Sequence, residues 1–478
     1  MKRSNGIVLG LLITAGVTSC WKSQSDNNTD TTTSSTTHPT DSASTVARMR
    51  QPASPDWAKN ATIYEVNLRQ FAEKEPLKAL ESQLTRLKEM GVDVLWLMPV
   101  FPIGAEKRKG TLGNPYAVRN YRAINPEYGT DADFRTLVQR AHDLGMRIIL
   151  DWPLNHTAWD HPWVSQHPDW YTRINGRIIS PVDEEGESSN WTDVADLNYD
   201  NLELRQHMLA EMKYWVKEYD VDGFRCEVAS MVPDEFWAEV RPTLDSVKTV
   251  FMLAESEDDP SHFRLGFNAN YGWSTHWLMR EISRGRRKAS DLDSLLDANR
   301  RKFPSWYYQM HFIQNHDENT WAGTTTELFG QSADAFSVLT FTFDGMPLVY
   351  NGMESKLSKR LKMYEKDPIY WGNYGKQDFY KTLLTLKHRN RALWNGPAGG
   401  PLVKLATTRD DKVYAFHRQK DGDMITVVVN LSPEPQTIQL TGDGFEGMYT
   451  EVFSRQPTEL RNAMTFALKP WEYKVFTN

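Results

Sequence analysis

From Lys59 to about Asn395, short apolar runs alternate with stretches of helical spacing. The first run is Ala61-Thr-Ile-Tyr-Glu-Val-Asn67. The stretch after it places Leu80, Leu84 and Leu87 on one helix face ahead of Gly91, a residue suited to ending a helix. Val92 to Pro99 forms a second strand. Thr130 and Asp133 have the spacing of a capping box, and Phe134, Leu137, Val138, Ala141 and Leu144 follow at helical intervals. Gly145 closes that helix, and Met146-Arg-Ile-Ile-Leu-Asp151 is a third strand. The rhythm recurs at Val221 to Glu227, Val250 to Glu255, Met310 to Asn315 and Met346 to Tyr350. A weaker strand near Asn268 is supplied partly to complete the count.

Apolar strands with helices between them imply a parallel sheet buried on both faces. About eight repeats over roughly 340 residues fit a closed (β/α)8 TIM barrel better than an open doubly wound sheet. No glycine-rich phosphate loop is present, which further weakens the dinucleotide-binding alternative. After Pro401 the pattern changes. Val413 to His417, Met424 to Leu431, Thr437 to Leu440, Met448 to Phe453 and Tyr473 to Phe476 alternate or run apolar, with Asp-Gly turns between. This predicts a C-terminal all-β sandwich domain, residues 397–478, that either covers and stabilises the barrel, the favoured role, or binds a ligand. The barrel is assigned to residues 55–396, with an insertion after strand three at about 157–196.

The N-terminal region is of another kind. Met1-Lys2-Arg3 is a positive n-region, and Ile7 to Val17 is apolar but too short to span a bilayer. It ends Val17-Thr18-Ser19-Cys20, which resembles a bacterial lipobox, so residues 1–20 read as a lipoprotein signal peptide with Cys20 the lipidated residue. Residues 21–54 are Ser, Thr, Asp and Asn with almost nothing to bury, a flexible tether. The expected location is the bacterial cell envelope, anchored to the membrane at Cys20 on the periplasmic or outer-surface face. Only Cys226 remains besides, so the mature protein is expected to lack an internal disulfide. A net charge of −7 with both signs interspersed gives no basic field for nucleic acid. The content of 17 Trp, 19 Tyr and 20 Phe supplies a sizeable core, with rings to spare as platforms for flat ligands.

Polar residues at the C-terminal ends of barrel strands read as catalytic. Here strand three ends Asp151-Trp-Pro-Leu-Asn155-His156, and strand four is Asp222-Gly-Phe-Arg225-Cys226-Glu227. Strand five ends Ala254-Glu255, and strand seven ends Gln314-Asn315-His316-Asp317. Four such ends in this order, with Asn114-Pro-Tyr116, Asn120-Tyr121 and Asn125-Pro-Glu-Tyr-Gly-Thr130, resemble the alpha-amylase family of glycoside hydrolases, family 13, over essentially the whole chain after Pro55.

That resemblance implies a retaining hydrolase of α-1,4-glucans such as starch and maltooligosaccharides. Such an enzyme needs a carboxylate nucleophile and a carboxylic acid roughly 5 Å apart. By resemblance the nucleophile is Glu227, the acid/base Glu255 and the third carboxylate Asp317. His156 and His316 would bond sugar hydroxyls, and Tyr116 would stack beneath the ring. Two-residue alternation puts Arg225 beside Glu227, where the guanidinium would keep that carboxylate ionised. The family carries Asp at the Glu227 position. The extra methylene moves the carboxylate by about 1.5 Å if the backbone stays put, so activity well below that of an Asp enzyme is expected. Pro153 is a smaller departure from a usually aliphatic slot.

Asp151 and Asp222 read as structural, holding loops or pairing with Arg225, and Cys226 as a packed thiol facing the helices. No cofactor is expected to be required. Asn155 and Asp196 resemble calcium-ligand positions of many amylases, but two candidates do not make a site. His161, Trp163, His167 and Trp170 either line a sugar subsite or pack the excursion. The ligand of the C-terminal domain, in its alternative role, would be glucan. The alternatives to a hydrolase are a non-catalytic or weakly active glucan-binding lipoprotein, and a transglycosylase using the same intermediate. The oligomeric state is left open.

Overall fold

The computed structural model describes residues 51–182, 190–257 and 261–478, so the leader, Cys20 and most of the tether lie outside the described residues. Eight parallel strands close into a barrel. They are β1 (Ile63–Val66), β2 (Val94–Leu97), β3 (Arg147–Trp152), β4 (Gly223–Cys226), β5 (Phe251–Ala254), β6 (Ala269–Tyr271), β7 (Tyr308–His311) and β8 (Met346–Tyr350), and β8 pairs back onto β1. The TIM barrel read from the apolar rhythm is therefore the fold. Ile63, Val94, Trp96, Ile149, Phe251, Leu253, Met310 and Leu348 meet in one buried cluster. The weak strand near Asn268 is β6, three residues long, and it keeps its register partly because Asn268 Oδ1 accepts the Met252 N–H at 2.9 Å. Close approach of β4 to β5 needs a glycine, since a Cβ on Gly223 would sit 2.0 Å from the Phe251 carbonyl oxygen.

The outer layer contains α1 (Pro76–Met90), α2 (Asp131–Asp143), α3 (Leu202–Glu218), α4 (Asp234–Asp245), α5 (Trp273–Ser283), α6 (Asp291–Lys302), α7 (Ala333–Thr342) and α8 (Gln377–Arg389). The predicted helix signals are met. α1 buries Leu80, Leu84 and Leu87 and ends at Gly91, whose φ of +105° favours glycine. At the start of α2, Thr130 Oγ1 accepts the Asp133 N–H and the Asp133 carboxylate accepts the Thr130 N–H, a closed capping box.

The C-terminal domain is one antiparallel ladder of β9 (Leu402–Thr407), β10 (Val413–Lys420), β11 (Asp423–Asn430), β12 (Gln436–Thr441), β13 (Gly447–Glu451), β14 (Pro457–Leu460), β15 (Met464–Leu468) and β16 (Tyr473–Thr477). Its order is β14-β13-β16-β11-β10-β9-β12-β15. Ile438, Leu440, Phe466 and Leu468 from one end share a core with Tyr449 and Leu460 from the other, so the ladder folds over on itself as a sandwich does. Arg418 of β10 is fully buried and donates to the carbonyls of Thr342, Phe343, Trp394 and Gly400. One guanidinium thus ties the sandwich to the end of α7, in keeping with a covering, stabilising role. No helix among the described residues is long and apolar enough to cross a membrane.

Candidate active site

Parallel strands in a barrel deliver their C-terminal ends to one face, and the predicted residues collect there. Arg225, on the last turn of β4 pleat, is the hub and is buried. Its Nη1 lies 2.8 Å from Asp151 Oδ1, its Nη2 2.7 Å from Glu255 Oε1, and its Nε donates to the Tyr271 hydroxyl at 3.0 Å. Asp151 Oδ2 also accepts from the Tyr116 hydroxyl at 2.9 Å and from Trp96 Nε1 at 3.2 Å. The pairing of Asp151 with Arg225 is as read from the sequence, and Asp151 is the anchor of the network.

Arg225 does not bond Glu227. The two-residue alternation that predicted this stops at Cys226, where β4 ends. The chain then turns through Val228, whose φ of +38° is a strained value for a β-branched residue. That turn aims the Val228 N–H at Glu255 Oε2, 2.7 Å away. Glu255 consequently takes two donors, while Glu227 Oε2 is buried and accepts none among the described residues. The basic side chain nearest Glu227 Oε2 among the described residues is the His156 ring, with Nε2 3.6 Å away, too long for a hydrogen bond.

The electrostatics follow. Burial pushes the Glu227 carboxyl well above its ordinary range, the charge of Glu255 adds to the rise, and the field of Arg225 offsets only part. Burial also raises Glu255, but Arg225 and the Val228 N–H oppose it, leaving a smaller shift. Asp317 is about one-third exposed, with Oδ2 3.3 Å from His316 Nε2. Burial works against a charge on His316, yet Asp317 and Glu65 outweigh it and raise its pKa to about 9. For His156 burial dominates, and the charge of Asp193 and a backbone hydrogen bond at Tyr116 offset only part of it, which lowers its pKa to about 4. Tyr116 stacks on His316 with its hydroxyl 2.8 Å from Nε2.

Glu65 was missed by the sequence reading. It lies on β1, fully buried, with Oε1 2.5 Å from His316 Nδ1 and accepting the His316 N–H. A carboxylate near a strand end between Tyr64 and Val66 is the signal already used for the other strands, and it was present in the first apolar run.

The remaining predicted residues fall outside this network. Asn155 Nδ2 donates to Asp196 Oδ1 at 3.4 Å, so the two meet but offer one carboxylate and an amide nitrogen. Among the described residues no group of three or more His, Cys, Asp or Glu is placed to hold a metal. That donor set falls short of the oxygen cage calcium takes. Burial brings Asp196 up to about 6. His161, Trp163, His167 and Trp170 pack on one another: His167 stacks on Trp170 at 3.9 Å, and His161 Nδ1 accepts the Trp163 N–H. Trp191, which the sequence reading passed over, meets His156 edge-on at 5.7 Å. Cys226 is a buried free thiol, and Pro153 offers its carbonyl to the Tyr121 hydroxyl.

Fold and site together define a (β/α)8-barrel protein with a carboxylate and arginine network at the C-terminal mouth. The family described as alpha amylase, catalytic domain, matches residues 70–371, and the chain belongs to it. The maltogenic amylase C-terminal domain matches residues 404–475. An alpha-amylase of Haloarcula japonica is 29% identical over 416 residues, covering 83% of this chain, and the chain spans 59% of that protein's length. A noncanonic maltogenic alpha-amylase of Thermotoga neapolitana superposes with a TM-score of 0.79 at 30% identity, over 88% of this chain and 98% of that one. An alpha-amylase of Lactobacillus plantarum gives 0.77 at 28% identity, over 88% and 99%.

Proposed function

We propose that the protein is a retaining glycoside hydrolase of α-1,4-glucans, starch and maltooligosaccharides among them. The observation that carries this reading is that the ends of β4, β5 and β7 bring Glu227, Glu255 and Asp317 to one mouth, with Arg225 Nη2 2.7 Å from Glu255, and His156 and His316 beside Glu227 and Asp317. In the reaction, Glu227 attacks the anomeric carbon while Glu255 gives its proton to the departing glycosidic oxygen. Glu255 then takes a proton from water, which attacks the glycosyl ester and frees Glu227 with the anomeric configuration retained. Asp317, His156 and His316 hold hydroxyls of the distorted ring, and Tyr116 stacks beneath it. A sugar hydroxyl in place of water at the second step gives transglycosylation by the same intermediate.

One observation favours the second reading, a slow enzyme or glucan-binding lipoprotein. The donors converge on Glu255 and not on Glu227. A single negative charge shared by the pair is therefore drawn to the acid/base, and the reactive arrangement, Glu227 ionised and Glu255 protonated, is the minor one. Incubation with starch, pullulan, cyclodextrin and maltoheptaose, with products followed by NMR, tests both readings. Linear products of retained anomeric configuration are expected. Binding without products, from this chain and from Glu227→Asp alike, sinks the hydrolase.

We also infer lipid anchoring in the cell envelope, from the lipobox-like Val17-Thr18-Ser19-Cys20 and the polar tether after it. Labelled palmitate is expected in the full chain and lost in Cys20→Ser; label persisting in that variant overturns the anchor.

A further inference from the structure

Three large aromatic residues are well exposed, Trp277, Trp321 and Tyr370. Two of them lie beneath cations: Arg287 is 5.8 Å from the Trp277 ring and Lys359 4.6 Å from the Tyr370 ring. Trp321 has no such cation among the described residues, and 57% of it remains exposed. A scattered surface ring needs no explanation in itself. The position of this one does.

Trp321 lies four residues after Asp317, in a π-helical turn, Glu318–Ala322, a geometry common at functional sites. The turn is pinned to the loop after β8: Asn319 Nδ2 donates to the Lys359 carbonyl, the Leu361 N–H to Asn319 Oδ1, and Thr320 Oγ1 to the Leu361 carbonyl. That loop carries Tyr364, whose ring is 5.9 Å from Trp321 and tilted by 56°, so the two rings do not stack face to face. Tyr364 in turn packs against the buried cluster of Met98, Tyr116 and Met363, and its carbonyl accepts the Leu112 N–H at 3.0 Å. Tyr364 thus links the apolar cluster that contains Tyr116 to an open ring held by the loop after β8. Tyr364 also feels the charge of Asp317.

We propose that Trp321, backed by Tyr364, is a stacking platform for a glucose ring of the bound glucan outside the cleavage point. The inference rests on the α-glucan reading above and adds a residue that determines chain-length preference. The apolar face of a pyranose fits a flat ring, and a helical glucan leaving the pocket presents such a face to its rim.

Maltoheptaose and maltose are titrated calorimetrically into Glu255→Gln, alone and combined with Trp321→Ala, Trp321→Phe or Trp277→Ala. Trp321→Ala is expected to weaken maltoheptaose about tenfold, the size of one aromatic stacking contact, with a smaller loss for maltose. Phe at this position restores most of the affinity, Trp277→Ala binds as the parent does, and an unchanged melting temperature shows that Trp321→Ala is folded. Equal affinity with Trp or Ala at position 321 overturns the platform. Failure of the parent Glu255→Gln to bind either sugar overturns the α-glucan reading itself, which separates the two failures.

Discussion

Asp222 and Glu227 belong to the same strand region, one just before β4 and one just after it, and they have opposite fates. Burial alone would raise Asp222, but His142 Nε2 at 2.7 Å, Lys248 Nζ at 3.3 Å and the Ile148 N–H at 2.9 Å hold its pKa below the ordinary value. Glu227, comparably buried, has no donor on Oε2 and is raised. The N-terminal end of a barrel strand closes the fold, so its carboxylate is fully partnered. At the C-terminal end of β4 the Glu227 carboxylate is left under-partnered, and the unmet demand is available to a substrate. Burial is common to both; the supply of donors decides which carboxylate is a lock and which is poised.

Removing the lock should have the largest effect. Asp222→Ala leaves a lysine, a histidine and a backbone N–H facing an emptied site, and breaking a buried pair of this kind costs about 3–5 kcal/mol. Urea unfolding should register that loss, with turnover per folded molecule close to that of the parent. Because the folded pKa is depressed, the contribution of Asp222 is complete above its ordinary value of 3.8 and is lost as pH falls through the lower folded value. A stability change under 1 kcal/mol would remove the contrast between the two ends.

Glu227→Asp tests the poised end. A displacement of about 1 Å in a reacting group costs on the order of 100-fold in rate, so the shorter carboxylate is expected to raise kcat on maltoheptaose by about that factor. The acid limb of the profile carries an independent sign. Glu227 must be ionised to attack, and its raised pKa means that activity is lost, as pH falls, well above the ordinary carboxylate range. A limb in the ordinary range, together with a kcat that Glu227→Asp leaves unchanged, would show that the missing donors do not matter.

The same distinction explains what the sequence could and could not convey. Strands such as β5, Phe-Met-Leu-Ala, are buried on both faces and announce themselves as unbroken apolar runs. β6 is three residues long, too short to show a period, and only the count around it pointed to Asn268. β14 opens on Pro457 and is largely exposed, and β9 is buried only at Leu402 and Leu405, so neither carried an apolar run and both passed unread. In the site, the strand-end motifs named the residues that meet, because a barrel brings all C-terminal strand ends to one mouth. Which donor reaches which carboxylate was not legible. It depends on the backbone at Val228, whose left-handed φ is atypical of valine and invisible in residue type. Glu65 was legible by the rule applied to the other strands, and Tyr64 and Val66 on either side made it look like one polar interruption of a core strand.

Glu65 also supplies the finest test of the donor argument, at a carboxylate in the mouth that does have a partner. Its 2.5 Å hydrogen bond to Nδ1 helps to hold His316 protonated, with a pKa near 9 where 6.5 is ordinary. A histidine raised in this way stabilises the fold fully below pH 6.5, and that stability drains away as pH rises through about 9. Glu65→Gln keeps the shape and removes the charge, leaving Asp317 as the remaining anion beside the ring. The His316 pKa, followed by NMR of the ring protons, is expected to fall, and each unit of fall removes about 1.4 kcal/mol of that alkaline-side pH dependence. The loss of stability between pH 6.5 and 9 should therefore flatten in the variant. A ring that titrates as before would mean that Asp317 alone sets the charge of His316. The mouth would then be governed by its exposed carboxylate and not by the buried pairing at β1.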